Sequence, residues 1–358
     1  MITFLVFIIL IAVLVIIHEA GHFLMARREK IGVEEFAFGF PPRLFSKKIK
    51  GTTYSLNLIP LGGYVKLHGE DKKLDNKSFL AKPIFSRFKV VSAGVLMNLF
   101  LGFILLIIYF ILGGVPIATD LSRYPSLIKD YKTYPVIINV SANSAASSWG
   151  LKRGDIILKV GDKEFSRAED FSDFTFKNPN KKIKLKIERA KEIKEIEGII
   201  PEIDGYGRIG VEVGDFYDKV KIKPWAIPIL SAIDFLNILK IIILFFWSLI
   251  ISIFYKTPVL GGVTGPVGVY LITKEAVVLG FIYILRLAIL LNINLAIINF
   301  LPIPALDGGR ALFLLVEKIK GKPIKNGLEE LIHLIGFFII IILVIIVTVK
   351  DILKLFNL

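Results

Sequence analysis

Five stretches of this chain are apolar for about the length of a bilayer crossing, and nothing else in the sequence limits its fold as much. They run from Ile2 to Met25, from about Phe88 to Leu112, from Ala226 to Phe254, from Leu279 to Leu301 and from Leu328 to Val349. About 20 apolar residues suffice to cross the hydrocarbon. A backbone there must satisfy its own hydrogen bonds, so each stretch reads as helix. Composition agrees: 54% of the 358 residues are hydrophobic and 28 are phenylalanine, and the mean hydropathy is +0.67, far more apolar than a soluble domain.

The formal net charge of +14 would suggest nucleic acid in a soluble chain. Here Lys and Arg crowd into loops between apolar runs, so they read as topology signals and contacts with the lipid bilayer, and no nucleic-acid partner is expected. The absence of cysteine excludes disulfides, thiolate ligands and a cysteine nucleophile. The first run has no basic segment before it and no small-residue cleavage site, and it ends in Arg27, Arg28 and Lys30. It therefore reads as a retained helix whose C-terminal end is cytoplasmic.

The expected fold class is a polytopic α-helical membrane protein with about four transmembrane helices, a cytoplasmic membrane-associated β-rich loop and one inserted β-rich domain. Helix 1–26 is followed by a β-rich loop over 27–87, in which TTYSLNLIPLGGYVKLHGE alternates like a strand before Gly62 and Gly63. Helix 88–113 leads to an insert over 132–205, where PVIINV, DIILKV and KIKLKIE are separated by turn residues. Then come an apolar stretch over 226–255, a Gly-rich loop LGGVTGPVG, a helix with a following loop over 278–310, and a last helix over 327–350.

The chemistry sits in LVIIHEAGHFLM, residues 14 to 25. Ionisable groups in a membrane-length apolar segment are costly and face something specific. Residues four apart share a helix face, so His18 and His22 can aim two imidazoles at one ion with Glu19 beside it as a base, the pattern of an HExxH zinc site. The chain has only 4 histidines. Catalytic zinc needs a third protein ligand and an open position. No third histidine has metzincin spacing, and His68 and His333 read as surface or packed histidines. A carboxylate at the same depth is expected instead, and Asp307 in NFLPIPALDGGR, after the helix-breaking Pro302 and Pro304, is the candidate.

HEAGH in the first helix, IPLGGYVKLHGED in the next loop and NFLPIPALDGG near the C-terminus resemble the site-2 protease family of intramembrane zinc metalloproteases, in its bacterial RseP-type branch. The resemblance implies one zinc ion (Zn2+) per chain on His18, His22 and Asp307, with Glu19 as catalytic acid and base. It marks Asn299 and Asn98 as positions that touch substrate or stabilise an oxyanion. It also implies that the sheet edge from Tyr54 to Leu67, with Gly62, Gly63 and Tyr64, takes an unwound substrate as an added strand. Two departures stand out: Val95 where the family has proline, and Gly39-Phe40-Pro41-Pro42 in the early loop. The insert, with SAASSWGLKRGDIILKVGDKEF, resembles a PDZ domain, implying a peptide groove or a size filter. Implied partners are single-pass transmembrane substrates already cleaved on the outer side, such as anti-sigma factors or remnant signal peptides. The implied location is the cell inner (cytoplasmic) membrane, with the active site near the cytoplasmic face and the PDZ-like domain outside. An inactive PDZ-bearing scaffold would be expected to lose Glu19 or a ligand, and none is lost. An ion transporter would be expected to show inverted repeats.

Counting crossings adds an expectation. For Asp307 to share an ion with His18 and His22, the run from Leu279 must enter from outside, and Arg310, Lys318, Lys320, Lys322 and Lys325 after it agree with a cytoplasmic exit. The stretch 226–255 should then lie along the outer interface, or dip in and return, with Asp234, Asn237 and Lys240 on its wet side; Arg286 either pairs with Asp234 or, as the favoured alternative, snorkels to the interface. Cysteines placed at Thr257 and Thr273 should be reachable from outside.

Overall fold

The computed structural model describes residues 1–70, 75–189, 192–255, 263–322 and 327–356. Thr257, Lys325 and part of the Gly-rich loop lie outside the described residues. Contacts divide the chain into a membrane unit (Met1–Leu112, Ile117–Thr119 and Pro228–Leu358) and an inserted unit (Gly113–Pro116 and Asp120–Ile227).

Helix α1 (Ile2–Arg28) is proline-free and closes on Arg27 and Arg28, whose charges oppose its negative dipole end. Strands β1 (Val33–Ile49) and β2 (Thr52–Leu67) form a hairpin. Its turn residues Lys50 and Gly51 both have positive φ, the geometry that matches strand twist. Both strands bend midway, so four segments lie side by side in the order 43–49, 52–57, 33–38 and 63–67. The expected edge from Tyr54 to Leu67 is corrected accordingly. Tyr54 to Leu56 pair on both sides, and only Gly63 to Leu67 form an edge next to α1.

Helix α2 (Ile84–Ile111) starts four residues before the expected Phe88, because Arg87 is buried and bound bidentately by Glu317 at 2.6 and 3.0 Å. A charge that finds a fork-shaped partner does not end a helix.

The inserted unit contains β3 (Ile128–Val140), α3 (Ala145–Ser148), β4 (Ile156–Val160), α4 (Ala168–Phe176), β5 (Lys182–Arg189), β6 (Glu192–Ile199), the short pair β7 (Glu202–Ile203) and β8 (Tyr206–Gly207), and β9 (Val211–Ile222). An antiparallel five-stranded sheet runs β6-β5-β4-β3-β9. In β5 the period-two pattern is literal: Ile183, Leu185 and Ile187 enter the core with Ile137, Ile157 and Phe171, and the lysines between them point out. The sheet extends past 132–205 at both ends. Strand β9, interrupted by Glu212, Asp215 and Asp218, gives a weak apolar signal and is held by its pairing along β3.

The membrane unit resumes with α5 (Ile227–Tyr255), α6 (Pro266–Leu279), α7 (Phe281–Phe300), α8 (Asp307–Lys320) and α9 (Leu328–Leu355). Among the described residues, five helices are long and apolar enough to cross a membrane: α1, α2, the segment Pro224–Leu249 that includes most of α5, α7 and α9. Four of these correspond to expected crossings. Helix α6, which begins at the end of the expected Gly-rich loop and runs through a stretch given no assignment from the sequence, is capped by Asp351 of α9, which accepts the Gly265 and Gly268 N–H groups at 2.9 and 2.8 Å.

The wet face expected on α5 is not wet. Asp234 is fully buried and forms no ion pair among the described residues; it accepts the Ile117 and Ala118 N–H groups, each at 2.8 Å, and the Thr119 hydroxyl at 2.7 Å. Asn237 also donates to Thr119, and only Lys240 remains exposed. The free amides of a chain leaving α2 satisfy a buried carboxylate without a guanidinium. Thr273 is fully buried as well, donating to Val269, so it cannot report exposure.

Candidate metal and active site

Helix α1 presents His18 and His22 on one face, and α8 presents Asp307 at its first residue. Between the three ligand atoms, His18 Nε2 and Asp307 Oδ2 are 3.0 Å apart, His22 Nε2 and Asp307 Oδ2 3.2 Å, and the two Nε2 atoms 3.2 Å. They form the one group of potential metal ligands among the described residues. A tetrahedral ion with bonds of about 2.0–2.1 Å separates its ligand atoms by about 3.3–3.4 Å, so the triangle is close to one face of that polyhedron.

The hydrogen-bond pattern fits a cation better than it fits a closed polar cluster. His22 Nδ1 donates to the Val90 carbonyl at 2.8 Å, which leaves Nε2 carrying a lone pair. Asp307 Oδ2 is buried and, with both imidazoles neutral and protonated on Nδ1, receives no hydrogen bond despite its short contacts. Lone pairs facing one another at such distances repel unless a positive ion lies between them. Gly94 of α2 completes the cradle: a Cβ there would stand 2.3 Å from His22 Nε2 and 2.8 Å from His18 Nε2. The residues present therefore fit zinc.

The loop before Asp307 is built for close approach. Pro302 and Pro304 end α7, Ala305 takes φ +78°, and a Cβ on Gly308 would meet the Leu301 carbonyl at 2.1 Å. Glu19 sits on α1 beside the edge strand, where a Cβ on Gly63 would come within 3.1 Å of its Cγ and 3.0 Å of Val15. Gly62 and Tyr64 flank that contact, and a Cβ on Gly62 would strike the Phe40 ring. The HExxH face and the strand edge thus meet at Glu19.

Asn98 is fully buried with its amide group 3.4 Å from His18 Nδ1; a His18 that ligates through Nε2 carries its proton on Nδ1, so the Asn98 amide oxygen is the atom that would accept it, while Asn292 of α7 donates to the Asn98 backbone carbonyl. It therefore lies behind a histidine rather than on an open surface. Asn299, in the last turn of α7, is half-buried and makes no side-chain hydrogen bond to the cluster. Three residues of the site were not picked out from the sequence. Asn292 was detectable as an amide in an apolar run, Gly94 gave no signal of its own, and His333, read as packed, accepts a hydrogen bond from Ala305.

The outer parts of the site are held by ion pairs. Arg87 and Glu317 join α2 to α8, Glu70 pairs with Arg310 of α8, and Lys89 joins α2 to Glu29 at 2.8 Å.

Comparison with known proteins agrees with this chemistry. The model of peptidase family M50 matches residues 6–343. The chain is 31% identical to a membrane metalloprotease of Arabidopsis thaliana chloroplasts, over 96% of this chain and 77% of that protein. It is 27% identical to the regulator of sigma-W protease RasP of Bacillus subtilis and to the zinc metalloprotease RasP of Bacillus licheniformis, each over 99% of both chains. A crystal structure of a PDZ domain from a Listeria innocua SdrC-like protein matches 22% of this chain and 92% of that chain, at 19% identity and a TM-score of 0.21, a likeness too slight to carry weight. On the family match along nearly its whole length, the chain belongs to peptidase family M50, the site-2 proteases.

Proposed function

We propose that His18, His22 and Asp307 hold one zinc ion per chain, and that Glu19 is the general base and acid of a protease that cuts single-pass substrates within the membrane. The observation that carries this reading is the convergence of three ligand atoms, from the buried His18 and the partly buried His22 and Asp307, at 3.0–3.2 Å in a cradle that admits no Cβ. Bound zinc would supply Lewis acidity toward the scissile carbonyl. Glu19 takes the proton of the attacking water and passes it to the leaving amine. The free edge at Gly63 to Leu67 holds the unwound substrate as an extra strand, with the small residues Gly62 and Gly63 letting it approach Glu19. Asn299 is the candidate for a substrate contact, whereas the burial of Asn98 favours a role in orienting His18.

The expected substrates are membrane segments already cut on the outer side, and the inserted unit is the filter that excludes uncut ones. The site lies near the cytoplasmic face of the inner membrane. Topology supports this. Along α9, Asp351 is about 22 Å from Gly336 at 1.5 Å per residue, and Gly336 packs on the Pro304 loop of the site. The chain therefore re-enters at Gly265 on the side away from the metal, the side toward which α2 leads into Ile117–Thr119 and Asp234. That suits an α5 that lies along the outer interface or returns to it. A cysteine at the exposed Thr264 should be labelled from outside by an impermeant reagent, and labelling only after the membrane is opened would contradict this topology.

The test of function is zinc content and cleavage of a model single-pass helix, measured together. Glu19→Gln should keep zinc and lower cleavage by about 10²–10⁴-fold, while His22→Ala and Asp307→Ala should lose both. Cleavage surviving in Asp307→Ala would rule out that ligand. Full zinc with no cleavage in the parent protein would favour an inactive scaffold.

A further inference from the structure

Helix α9 is almost entirely a lipid-type surface, with Gly336, Val347 and Asp351 its only residues classed as buried. Its inner half nevertheless touches the loop that delivers Asp307. His333 Nδ1 lies 2.8 Å from the Ala305 amide nitrogen, and a Cβ on Gly336 would come within 2.5 Å of the Pro304 carbonyl oxygen. Ala305 is a non-glycine residue at φ +78°, a conformation that L side chains rarely adopt and that persists only where its surroundings impose it. Two residues later the chain reaches Asp307.

Among the described residues the Ala305 amide has no other hydrogen-bond partner, and a partly buried N–H left unpaired is costly. To accept from it, Nδ1 must carry a lone pair. The ring proton is then on Nε2, which is 3.9 Å from Glu329 one turn earlier and makes no hydrogen bond of its own. Phe313 of α8 fixes the ring plane, its centroid 5.3 Å from that of the imidazole. A hydrophobic residue of similar size could fill this space, but it could not take the amide proton.

We infer that His333 is a positioning residue for the metal site: as a neutral acceptor it holds Ala305 in the left-handed conformation and thereby sets the carboxylate of Asp307 against His18 and His22. It touches neither metal nor substrate. The inference rests on the proposed zinc site and adds the last helix to the machinery that builds it. Groups that hold a ligand in place typically contribute 10–100-fold to metal affinity.

The test measures zinc affinity of the purified full-length protein in detergent, by competition with a chromogenic chelator, on material that elutes as a folded species. His333→Leu should weaken zinc by about 10–100-fold. His333→Asn places an acceptor at the position of Nδ1 and should bind nearly as tightly as the parent, whereas His333→Gln carries its acceptor one bond too far and should not. The decisive arm is Ala305→Gly in the His333→Leu background. Glycine adopts positive φ without strain, so it should recover most of the lost affinity, which a merely space-filling histidine would not allow. Parent-like affinity in His333→Leu, equal loss in the Asn and Gln variants, or no recovery with Ala305→Gly would each overturn the inference. Loss of zinc sensitivity to Asp307→Ala in the parent protein would instead remove the metal site, and the inference with it.

Discussion

In the inserted unit the fully buried carboxylate of Asp155 has what it needs: Arg189 donates to both oxygens at 2.6 and 2.7 Å, and the Lys152 N–H donates at 2.8 Å. In the membrane unit Asn98, Asn292, Asp307 and His333 each keep a buried oxygen or nitrogen without a hydrogen-bond partner. All such atoms among the described residues, including those of Asn57, Arg87, Ser92 and Ser231, lie in the membrane unit. Native interiors leave few polar groups unpaired, and each exception calls for a cause. Here four of the eight residues concerned belong to one connected set: Asp307 itself, Asn98 beside His18, His333 on the Ala305 loop, and Asn292, which donates to the Asn98 carbonyl. The buried carboxylate of the insert is satisfied within its own fold, whereas the unpaired atoms of the membrane unit gather around the proposed metal site.

The comparison breaks if the unpaired atoms of the membrane unit turn out to be incidental. The largest effect is expected at Gly94. Gly94→Ala places a methyl group 2.3 Å from His22 Nε2 and should abolish tight zinc binding as completely as loss of a ligand, seen by metal analysis of the purified protein. Normal zinc content in that variant would mean the cradle is not the metal site.

Next comes the buried ion pair. Glu317→Ala leaves Arg87 buried without its partner and should destabilise the membrane unit by about 3–5 kcal/mol, read by denaturation in detergent. In the insert, Asp155→Ala should cost about 1–3 kcal/mol, less because Arg189 reaches solvent, and zinc content should not change. Loss of zinc in Asp155→Ala would show that the two units are not the separate systems described.

A smaller and more selective effect is expected on replacing Asp120–Ile227 by a short linker. Cleavage of a pre-trimmed substrate should be nearly retained and cleavage of the untrimmed one should rise, measured side by side. Equal loss of both would place the insert in the catalytic machinery. The smallest effect belongs to Lys184→Ala, whose exposed cross-strand pair with Glu195 should be worth at most about 1 kcal/mol in thermal unfolding.

What the sequence reveals follows the same division. The HExxH spacing, the apolar runs and the alternation of KIKLKIE are periodic signals, and periodicity is what a helix face or a strand face requires, so α1, α2, α7, α9 and β5 were legible. Asp307 was legible because two prolines and two glycines mark a loop inside an apolar run. Strand β9 was missed because Glu212, Asp215 and Asp218 break its apolar alternation, and its pairing with β3 is non-local. Asp234 was assigned to a wet face because spacing reveals a stripe but not what covers it; the amides of Ile117 and Ala118 come from more than a hundred residues away in the chain. Gly94 and His333 belong to the site through contacts across helices, and no local pattern encodes those.

The central claim is that His18, His22 and Asp307 form one zinc site, and the zinc environment can be measured directly by X-ray absorption at the zinc edge. The account predicts two imidazole nitrogens at about 2.0–2.1 Å, with one carboxylate oxygen and a further light atom at about 2.0–2.2 Å, and a spectrum that loses the oxygen shell or the metal itself in Asp307→Ala. A spectrum with a third imidazole, or one unchanged by Asp307→Ala, would contradict it.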